Sequence, residues 1–173
     1  TGAVTATLAA DSLANLASLN TAGTDVITVT VNDANAAELT AANLSTLGGK
    51  TAGTVTVTNA VAIEGTTAEV TAALVTAGTL VVVSDATVTI TNTPTIAELN
   101  AIAAKTTGVV TATLAANSLA NLGALTTAGT DAITITVNDT TGSTLTATDL
   151  STLGGKTAGT VTLNSAVIVE GSA

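Results

Sequence analysis

The stretch Leu44-Ser-Thr-Leu-Gly-Gly-Lys-Thr-Ala-Gly-Thr-Val-Thr56 returns unchanged at residues 150–162. Working outward, Gly2-Ala-Val-Thr-Ala-Thr-Leu-Ala-Ala10 returns as Gly108-Val-Val-Thr-Ala-Thr-Leu-Ala-Ala116. The offset is 106 residues throughout, and 45 of the 64 positions aligned between residues 2–65 and 108–171 are identical. Self-similarity at a fixed period is the signature of a repeat architecture. The long repeat therefore covers residues 2–107, with residues 108–173 as a partial second copy. Both ends of the chain fall at arbitrary points of this period, so the sequence reads as a piece of a longer array.

A shorter period lies inside the long one. Six Thr-Ala-Gly or Thr-Thr-Gly tripeptides end at Gly23, Gly53, Gly78, Gly108, Gly129 and Gly159, in steps of 30, 25, 30, 21 and 30 residues, and one more Thr-Thr-Gly, at Gly142, falls outside these steps. Each long repeat thus holds about four rungs. Leu16 and Leu19, Leu44 and Leu47, and Leu99 and Ile102 precede three of these glycines at helical spacing.

Local chemistry predicts what a rung contains. Asn35-Ala-Ala-Glu38, Thr66-Thr-Ala-Glu69 and Thr95-Ile-Ala-Glu98 place a capping oxygen three residues before a glutamate, the capping-box spacing. Ala and Leu follow with one apolar stripe. Lys50, Lys105 and Lys156 then sit where a cation offsets a negative helix terminus, and the glycine beyond supplies a helix-stopping turn. Next comes alternation: Ile27–Val31, Val55–Val57, Val88–Ile90 and Ile133–Val137 exchange a branched aliphatic with Thr at every step. That period of two describes a strand with one apolar face. One rung carries a second strand, Leu80–Val83, separated from Thr87–Thr91 by a Ser84-Asp85-Ala86 turn.

A short helix and a strand in so few residues cannot bury an apolar face alone, but stacked neighbours can. The expectation is one continuous segment over residues 1–173, a repeat solenoid of stacked parallel β-strands with short helices (an α/β solenoid). An all-β solenoid is the rival.

Composition narrows the chemistry. The 173 residues are 46% hydrophobic and 9% charged, with a net charge of -9 and no aromatic residue, Cys, Met or His. The three cations are all Lys. Zinc, haem and iron–sulfur sites of the usual kind lack their ligands. Imidazole and thiolate catalysis lack their groups. Nucleic acid finds neither a basic surface nor a ring to stack on. The longest apolar runs are far shorter than the roughly 20 residues of a membrane span, and no secretory leader opens the chain.

The remaining motifs resolve into structural readings. Gly49-Lys50-Thr51 and Gly155-Lys156-Thr157 resemble the end of a phosphate loop, yet Leu44 and Leu150 stand where that motif needs its first glycine. Glu64 and Glu69 are close enough in sequence to suggest paired carboxylates; capping accounts for Glu69. Ser–Lys catalysis would need a buried lysine, and these lysines follow glycine in turns. Asp25 and Asp131 open strands, while Asn32-Asp33 and Asn138-Asp139 close them. Such oxygens suit calcium, but the alternating Asp/Asn-Gly pattern of a calcium loop is missing and Asx turns are the ordinary reading. No catalytic residue, cofactor or metal ligand is assigned, and the chain is not read as an enzyme.

The most suggestive surface feature is a Thr-x-Thr ladder: Thr28/Thr30, Thr54/Thr56, Thr87/Thr89, Thr111/Thr113, Thr134/Thr136 and Thr160/Thr162. In that dipeptide alone the chain resembles some ice-binding β-solenoids. Thr is also the best uncharged strand former for an outward face.

Thr93-Pro-Thr-Ile-Ala-Glu-Leu-Asn-Ala-Ile102, followed by Thr-Thr-Gly and a Thr/Val strand, resembles repeats of giant bacterial cell-surface proteins, of the cyanobacterial or haemolysin-type secreted kind. The resemblance is compositional and covers nearly the whole chain. It implies an exported, extracellular array, a spacer, filament, surface-layer or adhesin-stalk segment. Its partners would be copies of itself or flanking repeats, joined head to tail. A binding module that uses the Thr face for ice or another surface is the alternative.

Overall fold

The computed structural model describes residues 2–171. The first copy runs β1 (Thr5–Thr7), α1 (Leu13–Leu16), β2 (Val26–Val31), β3 (Glu38–Thr40), α2 (Ala41–Gly48), β4 (Val55–Val57) and β5 (Ala62–Gly65). The unrepeated stretch that follows holds α3 (Thr67–Leu74), a 3-10 turn (Ala77–Thr79), β6 (Val81–Val82), β7 (Thr87–Ile90) and α4 (Ile96–Ala103). The second copy then gives β8 (Val110–Thr113), α5 (Leu119–Leu122), β9 (Ala132–Val137), β10 (Thr144–Thr146), α6 (Ala147–Gly154), β11 (Val161–Leu163) and β12 (Ile168–Glu170).

The strands form three all-parallel sheets: β1-β2-β4-β6, β11-β9-β8-β7-β5-β3 and β10-β12. This arrangement corrects the expectation of a repeat solenoid, and the six α-helices correct the all-β rival. The chain is an α/β fold of four-, six- and two-stranded parallel sheets, and its sequence-equivalent strands do not share one stack. β1, β2 and β4 lie in the four-stranded sheet, whereas their counterparts β8, β9 and β11 lie in the six-stranded one. Pairing is uneven in spacing as well: Thr5 faces Val26, Val29 faces Val55 and Val88 faces Val110.

The cause is local to the unrepeated stretch. β6 is only two residues long and ends its sheet. After the Ser84–Asp85 bend, β7 supplies a full four-residue alternation and pairs with β8. Contacts at residues 106–108 hold that pairing in place. The Thr107 amide donates to the Ser84 carbonyl at 2.8 Å, and the Thr106 hydroxyl to the Ala86 carbonyl at 2.6 Å. Gly108 lies so close to the Ala86 backbone that a Cβ there would run into its carbonyl. The second copy therefore starts beside β7, on the sheet that β3 and β5 belong to.

The core is aliphatic throughout. Ile27, Val29 and Val31 point inward from β2, as do Ile133, Ile135 and Val137 from β9, and Leu44, Leu47, Leu74, Leu99 and Ile102 cover them from the helices. With no ring to fill space, packing rests on many small branched side chains, each worth roughly 1.5–3 kcal/mol when fully buried.

Helix starts follow the sequence with one exception. Thr66 with Glu69 and Thr95 with Glu98 form complete capping boxes on α3 and α4. Asn35 with Glu38 does not: Glu38 opens β3, and the hydroxyl of Thr40 caps α2 by accepting from the Asn43 amide at 3.3 Å. The Asn35 side chain instead accepts from the Ala60 amide at 3.2 Å. Glycines also act differently from the expected helix-stopping turn. Among the described residues the left-handed φ belongs to Gly142 and Ala36. The recurring Gly53, Gly108 and Gly159 are required instead because a neighbouring strand or turn backbone touches them.

Candidate functional site: the threonine faces and the open ends

Alternation along each strand turns the twelve ladder threonines outward. Thr28, Thr54, Thr87, Thr89, Thr111, Thr113, Thr134, Thr160 and Thr162 are exposed, and Thr30, Thr56 and Thr136 are half-buried. They do not form one surface. Thr28, Thr30, Thr54 and Thr56 belong to or adjoin the four-stranded sheet, and the remaining eight the six-stranded sheet. Within each sheet the files are short. Thr30 faces Thr56, but Val82 comes next. Thr89 faces Thr111, yet Glu64 lies on one side of the pair and Ala132 on the other. Thr113 pairs with Thr134, and Thr136 with Thr162. Carboxylate, isopropyl and methyl groups thus interrupt the hydroxyl rows.

A second set of threonines was legible only as a recurring tripeptide. In five of the Thr-x-Gly turns the Thr (Thr21, Thr51, Thr106, Thr127 and Thr157) ties the turn to the chain 20 to 29 residues away. Thr51 is buried, and its hydroxyl accepts from the amides of Ile27 at 2.7 Å and Gly53 at 2.8 Å. Its own proton lies between the carbonyls of Asp25 and Ile27, at 2.9 and 2.8 Å. Thr157 repeats this geometry on Ile133, Gly159 and Asp131. Thr21 and Thr127 donate to the carbonyls of Lys50 and Lys156. The apparent phosphate-loop motif is therefore a helix followed by a turn whose threonine hydroxyl is already saturated.

The carboxylates are likewise engaged with backbone. Asp25 accepts from the amides of Val4 at 2.8 Å and Ala22 at 3.0 Å, and buried Asp131 from Val110 at 2.8 Å and Ala128 at 2.9 Å. Asp33 and Asp139 each accept, at 2.7 Å, from the first amide of a helix, Leu13 or Leu119. Among the described residues no three carboxylates converge on a point where a calcium ion could sit. Glu69 is bound to Thr66 by both its amide and its hydroxyl at 2.8 Å, and these bonds to the charged form lower its pKa. Glu98 is lowered in the same way by Thr95. Glu64, the other half of the candidate carboxylate pair, is exposed on the outer face of β5 between Thr40 and Thr89. Lys50 does not cap its own helix; its ammonium donates to the carbonyl of Ala17, at the end of α1, at 2.6 Å.

Concave surface is modest. A groove of about 500 Å³ runs between α5 and α6 past Asp139, Thr146, Asp149 and Lys156. No helix of the described residues is long and apolar enough to cross a membrane.

The most distinctive surfaces are the two ends. Val55, Val57 and Ile63 are 0%, 2% and 1% exposed, whereas Leu163 and Val169, at the positions equivalent to Val57 and Ile63, are 39% and 51% exposed. At the other end the relation inverts: Val4 is 55% exposed and its counterpart Val110 is 0%. In each case β-sheet neighbours make the difference. β4 lies between β2 and β6, and β5 between β3 and β7, while β11 and β12 are sheet edges. β8 is covered by β7, and β1 is an edge.

Comparison with family models, with curated proteins and with solved structures finds no match for this chain.

Proposed function

We propose that this chain is a structural segment of an extracellular repeat array, joined end to end to like units that complete its two open faces. One observation carries the reading: residues at equivalent positions of the two copies are interior where a neighbouring unit is present and exposed where none is. A free edge strand offers a row of unpaired amides and carbonyls, the template for adding another strand. Here each edge comes with aliphatic side chains prepared for burial. Composition fits the same use. Outward Thr keeps the flanks soluble without charge pairs, and a chain without Cys can be exported without forming a wrong disulfide. A net charge of -9 opposes lateral clumping while leaving the ends free to join. The interrupted hydroxyl rows give no flat array on which an ice lattice could be templated.

The test is sedimentation and electron microscopy of the full chain over a wide concentration range. End-to-end oligomers that lengthen with concentration, and that disappear in Leu163→Asp and Val169→Asp, are the expected result. A chain that stays monomeric at every concentration, or that associates identically with both substitutions, contradicts the proposal.

A further inference from the structure

The joining surface at the C-terminal end has a counterpart inside the same molecule, and that counterpart is occupied. α2 packs on α3 and the 3-10 turn, and its Ala41, Leu44 and Gly48 are buried. Gly48 lies so close to the backbone of Thr79 that a Cβ there would overlap it. β6 then pairs with β4, placing Val81 opposite Val55. On α6, Ala147 and Gly154 are exposed and Leu150 is half-buried, although α2 and α6 differ only at the second and third positions. A Cβ at Gly154 would meet nothing within 4 Å. The face that α3, the turn and β6 cover in the first copy is therefore preserved in the second, with nothing from the described residues on it.

We infer that the face formed by Ala147, Leu150, Gly154 and Leu163 is a docking site for a helix–turn–strand segment of the Thr66–Val83 type. Such a partner carries a capping box, an Ala/Leu/Val helix, and a Thr-Ala-Gly-Thr turn running into a branched aliphatic strand. This rests on the end-to-end reading above and names the partner for one end. The recognition is steric and apolar. Leu150 and Leu163 need cover, the missing Cβ at Gly154 admits the backbone of the turn, and the β11 edge takes the strand as β4 takes β6. Glycine at position 154 has no local reason: its φ is not left-handed, and Ala is the better residue in a helix. A close neighbour at that point supplies the reason, as Thr79 does for Gly48.

The probe is a synthetic peptide, Thr66–Val83, added to the full-length chain and followed by amide chemical shifts. Shifts confined to α6, β11 and β12 are expected, with binding weakened at least tenfold by Gly154→Leu. The added side chain enters open space in the free chain, so its melting temperature serves as the control for folding. No binding, or binding unchanged by Gly154→Leu, overturns the inference. End-to-end oligomers formed by a chain that binds no peptide overturn the assigned occupant while leaving the end-to-end proposal standing.

Discussion

Helices α2 and α6 read Ala-Ala-Asn-Leu-Ser-Thr-Leu-Gly and Ala-Thr-Asp-Leu-Ser-Thr-Leu-Gly, start from the same threonine cap and run into the same turn. One is packed on both flanks, and the other on one flank only. In α2 four residues are buried; in α6 only Leu153 is. Nothing in the eight residues accounts for this. Their neighbour does, and so burial here belongs to the pair of units rather than to the unit.

Substitutions at matched positions exploit that contrast. The largest effect is expected from Leu44→Ala, which empties a fully buried site and should cost about 2–5 kcal/mol. Leu150→Ala should cost less, about 1–2 kcal/mol, since that side chain is only partly buried. Urea unfolding of the two variants measures the difference, and equal losses would break the comparison. Glycine gives a change of sign. Gly48→Ala pushes a methyl into the Thr79 backbone and should destabilise by about 1–3 kcal/mol. Gly154→Ala should stabilise by about 0.5–1 kcal/mol through helix propensity alone.

The threonine ties are the same in both copies. Thr51 and Thr157 are both buried and make the same bonds to the strand before them, so the outer neighbour is irrelevant to either. Thr51→Val leaves the Ile27 amide without its acceptor, and Thr157→Val does the same to Ile133. Each should cost about 1–3 kcal/mol. Similar losses in thermal unfolding are expected, and a marked difference between the two would show that coverage of the end reaches further into the fold than the contacts indicate.

The smallest effect is a pH response present in one copy only. Asp11 accepts from the Ser12 amide and the Asn15 side chain, each at 2.8 Å, and the Asn15 bond above all, then the Ser12 bond, lowers its pKa. Asn117 makes the matching bonds to Ser118 and Asn121 without a titrating group. A carboxylate held below its ordinary value stabilises the fold above the unfolded-state pKa and loses that contribution as pH falls through the lowered folded value. In an acid titration the Ser12 amide should therefore move with a midpoint below that of an ordinary Asp, and the Ser118 amide should show no such transition.

Much of the local structure was legible from residue order. The Ile/Val–Thr alternations at 27–31, 55–57, 88–90 and 133–137 all fall in strands. Two of three capping boxes stand, and the Ser84–Asp85 bend lies where the Leu80–Val83 and Thr87–Thr91 runs require it. Asn35 failed because a capping oxygen three residues before Glu is equally compatible with a turn into a strand, and Thr40 offered a second cap immediately upstream of the helix. The arrangement of sheets was not legible at all. It depends on β7 rather than β6 meeting the second copy, a choice made by contacts of Thr106, Thr107 and Gly108 with the backbone of residues 84–86, twenty or more positions earlier. Periodicity reports which residues face inward; it carries no record of which neighbour each strand selects. The role of the Thr-x-Gly turns was similarly hidden, because their partners lie about one rung away in sequence.

Equivalent residues of the two copies are protected or exposed according to whether a like unit lies against them. Residue-resolved amide exchange at Val55–Val57 and Val161–Leu163, measured on the full chain with and without the Thr66–Val83 peptide, tests it directly. Strong protection at 55–57 throughout, and weak protection at 161–163 that rises when the peptide is added, are expected. Equal protection of the two stretches in the free chain, or no response of residues 161–163 to the peptide, would contradict it.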